Sequence, residues 1–140
     1  MRASHRPISV YLLMVALGFQ GLSGLAGGLG LIIDPSGAMI GLPAAWLEGS
    51  LFRDYLIPGV ILFSVLGVVP LFILWGFLVE RSWSRGAALW VGIALVVWIA
   101  VEVMIVGYQP EPPLQLTYGA LGVIIVGLAG YVQRVSRKMP

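Results

Sequence analysis

Four long apolar runs leave this chain few ways to fold. They cover about residues 8–33, 55–79, 87–108 and 114–132, and three of them hold no ionisable side chain other than tyrosine. A helix needs about 20 apolar residues to cross a hydrocarbon core about 30 Å thick, and each run reaches or approaches that length. Membrane strands would alternate apolar with polar residues. These runs are apolar on every face and predict helices. Charged residues make up 10% of the 140, against about 25% in an ordinary soluble domain, so lipid is the expected solvent. The expected fold is all-α: one transmembrane domain over residues 1–140, a four-transmembrane-helix antiparallel bundle.

The first run follows Arg2, His5 and Arg6, as a secretory signal would. Signal cores are only about 7–15 residues long, and this run is longer, so it is expected to stay as a spanning helix. Seven of the eight Lys and Arg fall before helix 1 (Arg2, Arg6), between helices 2 and 3 (Arg81, Arg85) or after helix 4 (Arg134, Arg137, Lys138). The remaining segments hold Arg53 alone, set against Asp34, Glu48, Asp54 and Glu111. Cytoplasmic loops carry the excess of cations, so both termini are expected in the cytoplasm. Trp46, Phe52, Tyr55, Tyr108 and Tyr118 then mark the outer boundary, and Tyr11, Trp75, Trp83, Trp90 and Tyr131 the inner one, as aromatic belts do.

The turns at 80–85 and 109–113 are short, which makes helices 2 and 3, and helices 3 and 4, expected neighbours. Residues 34–54 are too apolar for a floating loop and too interrupted for a span. They open with the turn signal Asp34-Pro-Ser-Gly37 and continue through Pro43-Ala-Ala-Trp-Leu-Glu48, which predicts a short interfacial helical cap on the outer side. Ser50 is the expected N-cap of helix 2. Pro58 lies in the first turns of that helix, whereas Pro70 is interior and frees the carbonyl of Leu66.

Helix 1 carries Gly18, Gly21, Gly24, Gly27, Gly28 and Gly30, with Gly24 and Gly28 in a GxxxG pair; helix 4 carries Gly119, Gly122, Gly127 and Gly130. Small residues let membrane helices approach closely. That serves either packing within one bundle or association with a second copy or another membrane protein.

Chemistry-bearing residues are few. The chain has no cysteine and a single histidine, His5, so thiolate chemistry, a histidine-based triad and a His or Cys metal site have no residues to use. No glycine cluster follows a strand to cradle phosphate. No catalytic site, metal or cofactor is expected, and no nucleic-acid partner, since the cations sit at helix ends. Glu102 is the exception. It lies in helix 3 about six residues from the outer end, roughly 9 Å deep, where a carboxylate costs up to about 2.5–3.5 kcal/mol on insertion. Gln20 lies about 18 Å along helix 1, at comparable depth. Tyr118 and Thr117 enter from helix 4, Arg53 stands above, and Gln109 follows seven residues after Glu102 on the same helical face. Glu102, Gln20, Tyr118 and Arg53 are therefore the ligand-binding or proton-coupling candidates. The competing reading makes Glu102 a packing residue bonded to Gln20 or Tyr118, and pairs Arg53 with Glu48, Asp34 or Asp54.

The runs Asp34-Pro-Ser-Gly-Ala38, Gly41-Leu-Pro43 and Phe52-Arg-Asp-Tyr-Leu-Ile-Pro-Gly59, with residues 98–107, resemble a set of small bacterial four-helix membrane proteins of unknown function. The resemblance implies this fold and a bacterial inner membrane, and no activity. Small multidrug transporters are similar in size and helix count, but their essential glutamate lies in the first helix, where this chain has Gln20, and their dual topology needs a weak cation bias. Two functional expectations follow: a non-catalytic accessory or structural component of a membrane complex, or a small oligomeric transporter or channel using Glu102.

Overall fold

The computed structural model describes residues 6–109 and 113–138. Arg2, His5 and Glu111 lie outside them. Four helices account for most of the chain: α1 (Ile8–Ile33), α2 (Leu56–Leu78), α3 (Trp83–Val106) and α4 (Leu114–Lys138). Each is long and apolar enough to cross a membrane, and no strand occurs among the described residues. The chain is built as a multi-pass membrane protein.

Helix boundaries follow local chemistry. α3 begins four residues earlier than expected, at Trp83, and ends at Val106, because Gly107 turns to φ 76° and breaks the helix. α4 runs on through Lys138, beyond the apolar stretch, with Arg137 and Lys138 in its last turn, where cations complement the helix dipole. α2 is not uniform. It is α-helical over Leu56–Phe63, widens to a π-helix over Ser64–Val68, and returns to α-helix over Val69–Leu78. The wide turn lies directly before Pro70, the residue with no N–H to offer.

The expected cap on Ser50 is not formed. Asp54 Oδ1 accepts the N–H of Leu56 at 2.9 Å instead, while Ser50 Oγ donates to the Leu47 carbonyl at 2.7 Å. α2 starts six residues downstream of the serine, out of its reach.

Glycines decide how closely the helices meet. A Cβ on Gly24 would strike the Leu66 carbonyl, and one on Gly67 would lie 2.8 Å from the Leu25 nitrogen. Gly28 and Gly59 bring the same two helices together a turn or two further on. The Gly24/Gly28 pair is thus occupied by α2 within the chain. In α3 and α4, Gly92 and Gly122 abut Val126 and Val96 in the same way. The result is two tight helix pairs, α1–α2 and α3–α4.

The pairs join unevenly. Residues Val69–Leu78 of α2 pack on both α1 and α3, whereas Leu56–Phe63 packs chiefly on α1. One half of the molecule is therefore filled by a continuous core that includes Leu13, Leu17, Ile73, Phe77, Val91 and Ala129. In the other half the pairs leave a gap. Residues 34–55 fold over that end as two short 3-10 turns, Ala38–Ile40 and Ala44–Leu47, and the second of these touches α3. Leu47, Tyr55 and Leu31 form a small core of their own. At the opposite end, Arg6 donates to the Leu78 carbonyl at 3.1 Å and pairs with Glu80 at 3.5 Å, and Arg85 donates to Ser136 Oγ.

Packing of this kind predicts a contrast between glycines. Gly24→Ala drives a methyl into backbone and should cost about 1–3 kcal/mol. Gly127→Ala, with nothing within 4 Å of the new Cβ, should be neutral or slightly stabilising. Thermal unfolding of the two variants in the same detergent checks the pair.

A candidate functional site between the helix pairs

The site begins with a backbone defect. Pro70 cannot donate to the carbonyl of Leu66, and α2 is surrounded by side chains and lipid, where an unpaired carbonyl is costly. Gln20 of α1 supplies the missing donor: its Nε2 lies 3.0 Å from the Leu66 oxygen. Gly24, one turn along α1, lets the two backbones come close enough for that reach. Gln20 is 1% exposed, and because its amide N–H must face the carbonyl, its Oε1 is left buried without a partner.

Above Gln20 the gap between the helix pairs forms a cavity of about 760 Å³. Leu66, Ala94 and Leu95 line it at the level of Gln20, and Trp46, Leu47 and Phe52 at the level of the folded segment. The lining is largely apolar, in the size range of sites that hold small molecules. Glu102 and Tyr118 both face it. Glu102 stands two turns beyond Leu95, about 10 Å along α3.

Two of the expected partners of Glu102 are engaged elsewhere. Gln20 serves Leu66, and Tyr118 stacks on Phe19 with ring centroids 6.0 Å apart. Thr117 is exposed and donates to the Pro113 carbonyl. The groups within hydrogen-bonding reach of Glu102 are the Gln115 amide and the Trp98 indole. Gln115 is the residue that sequence reasoning passed over. It is 4% exposed, its Oε1 accepts the Gln109 N–H at 2.6 Å, and its Nε2 donates to the Gly107 carbonyl at 3.1 Å. A lone glutamine near the start of an otherwise apolar run, level with Glu102, was the available signal.

The polar track from Glu102 to Gln109 does not exist as a helical face. α3 ends at Val106, and Gln109 folds back to donate its Nε2 to the Val106 carbonyl at 2.9 Å. Gln109 and Gln115 together close the α3–α4 connection.

Arg53 stays outside the cavity. It is exposed and makes no ion pair among the described residues. Arg53 pairs with none of the three expected carboxylates: Asp34 accepts from the Ser36 hydroxyl at 2.6 Å and from the Met39 N–H at 3.0 Å, Asp54 accepts the Leu56 N–H at the start of α2, and Glu48 makes no ion pair among the described residues. Those bonds, the Ser36 hydroxyl foremost, hold the Asp34 carboxyl below the ordinary aspartate range. Tyr55 ties the segment down by donating to the Pro43 carbonyl at 2.7 Å, while its own N–H donates to Pro35. Burial, then the Glu102 charge, pushes the Tyr55 phenol up, so it remains a donor at neutral pH. Gly37, at φ 83°, lies where a Cβ would strike the Tyr55 ring.

No group of three or more His, Cys, Asp or Glu side chains gathers among the described residues. No protein-family model, curated protein or solved structure matches this chain.

Two outcomes test this geometry. Gln20→Leu strands the Leu66 carbonyl and should destabilise the protein by about 1–3 kcal/mol, read as a lowered Tm in detergent. The Asp34 turn should titrate in acid. A folded pKa below the unfolded value means that its stabilisation is present above the ordinary range, about 3.9, and is lost as pH falls through the folded value. The amide resonances of Ser36 and Met39 should shift together with a midpoint below 3.9.

Proposed function

We propose that this chain is a non-catalytic, multi-pass protein of a bacterial inner membrane, an accessory or structural component of a larger membrane complex. In this reading it is an antiparallel four-helix bundle, with both termini in the cytoplasm and residues 34–54 as the cap on the outer side. The observation that carries it is how the polar groups within the spans are used. Gln20 repairs the backbone at Pro70, and Gln115 closes the turn after α3. Such groups hold a scaffold together rather than move a substrate. Between the cavity and the terminal end lies a core of buried residues such as Leu17, Leu13 and Phe77, which supports a scaffold over a conduit.

Membrane lipids surround such a protein, and its cationic end suits anionic headgroups. Gly24 and Gly28 are taken up by α2, so a partner or second copy would meet another face. α4 presents Gly127 and Gly130 with open space beside them.

A second reading, a small oligomeric transporter or channel, is favoured by one observation: Glu102 faces the cavity, and α2 carries a π-helical turn beside it, a feature frequent at functional sites. The two readings diverge for Glu102→Gln. The accessory reading expects folding and capture of the native complex to persist. Loss of proton-coupled flux in liposomes on Glu102→Gln would instead establish transport.

Orientation has a direct assay, because the chain lacks cysteine. A cysteine replacing Leu51, which is 98% exposed, should react with an impermeant maleimide on intact cells. One replacing Arg137 should react only after lysis. The reverse pattern sinks the proposed topology.

A further inference from the structure

We infer that the cavity between the helix pairs binds a lipophilic cation without N–H groups, a quaternary ammonium on an apolar body, with its charge seated at Glu102. Only the membrane setting is needed for this, not either functional reading. Hydrogen bonding does not choose the occupant, because Tyr118 and Trp46 bring donors to the wall and Glu102 brings an acceptor. Charge and ring faces choose it.

Glu102 is a carboxylate without a countercharge. It forms no ion pair among the described residues, and the groups beside it, the Gln115 amide and the Trp98 indole, are uncharged. No Lys or Arg among the described residues lines the cavity. The Glu102 charge reaches as far as the Tyr55 phenol under the covering segment. Acidic side chains within membrane spans almost always pair, or face a cavity that serves a ligand or ion.

The walls select the kind of cation. Trp46, Phe52, Tyr55, Trp98 and Tyr118 line the same space as Glu102. Aromatic faces attract cations through their quadrupoles, and rings gathered around one charge are the usual means of holding a quaternary ammonium. A hard metal ion takes about six or more oxygen ligands, and no group of three or more His, Cys, Asp or Glu gathers among the described residues. An anion would meet the Glu102 charge. Leu95 lies about 10 Å back along α3 from Glu102, and with Leu66 and Ala94 it leaves that part of the 760 Å³ cavity apolar, fit for an alkyl chain.

Entry has a structural basis as well. Leu56–Phe63 packs chiefly on α1 and stands off α3. Val65 on α2 and Val97 and Val101 on α3 line the gap and are each about half exposed. A cation dissolved in the membrane can enter there sideways, leaving the rest of its chain in lipid.

The test uses the purified full-length protein in dodecyl maltoside, which has no charge and no choline. A hexadecyltrimethylammonium with a diazirine close to the nitrogen gives the signal. Four probes compete with it: hexadecyltrimethylammonium, its neutral carbon isostere 2,2-dimethyloctadecane, hexadecanesulfonate, and the zwitterion hexadecylphosphocholine. Labelling should saturate and map to residues 94–106 of α3 and 46–55 of the covering segment. The cation should compete at least about tenfold better than its isostere, the ratio for about 1.4 kcal/mol. The zwitterion should compete weakly and the sulfonate not at all. Glu102→Asp should keep the preference for the cation, and Glu102→Gln should lower it to about twofold, the part the rings supply. Equal competition by the isostere, the sulfonate or the zwitterion overturns the inference. So does an unchanged preference in Glu102→Gln, or labelling that is unsaturable or lies outside those segments. If Glu102→Gln loses its thermal transition, the probe ranking on the unaltered protein decides alone. Failed complex capture or absent proton flux would leave that ranking untouched, so the proposals fail separately.

Discussion

Pro70 has no N–H to give the carbonyl of Leu66, and inside a helix surrounded by lipid and side chains no water replaces it. The molecule meets that deficit from a different helix. Gln20 of α1 donates at 3.0 Å, and for the bond to form α1 and α2 must lie backbone against backbone. Gly24 and Gly67 make that approach possible. α2 widens to a π-helix over Ser64–Val68, the stretch that carries the freed carbonyl. One missing hydrogen thus couples a proline, a glutamine and two glycines, and fixes how the first helix pair is assembled.

The second pair is assembled by the same means, with Gly92 against Val126 and Gly122 against Val96, but it has no backbone defect to repair. Its polar investment lies at its end, where Gln115 holds Gln109 and Gly107. Because each pair is tight within itself and the two meet along Val69–Leu78 against α3 and along α1 against α4, a cavity opens where Leu56–Phe63 leans on α1. Residues 34–55 lie across that gap, pinned by Asp34 to Met39 and by Tyr55 to Pro43. The cavity is a consequence of how the pairs join, and the segment over it is ordered by short-range hydrogen bonds rather than by ion pairs. Arg53, left exposed, illustrates the point.

The sequence predicted that Leu66 would lose its backbone partner, since a proline four residues on determines that locally. It also marked Gln20 and Glu102 as polar groups at similar depth. It offered Gln20 or Tyr118 as the packing partner of Glu102, and the structure uses neither: Gln20 turns to α2, and Glu102 lies by Gln115 and Trp98. Depth along a helix is readable from residue count, but which face meets which neighbour depends on rotation and tilt, and those are set by glycine contacts between helices. The expected Glu102–Gln109 face failed for a local reason. Gly107 takes a positive φ, and a periodicity argument extends only as far as the helix does.

What the sequence alone determined was the number and helical nature of the four spans, because a chain this apolar must satisfy its backbone hydrogen bonds within each segment when water is absent. Only the tertiary structure decided the partners. The small-residue faces, the freed carbonyl and the buried carboxylate each had several possible neighbours in an all-helical chain. Close packing between particular helices selected among them, and left one amide oxygen buried without a partner and one carboxylate facing an apolar cavity.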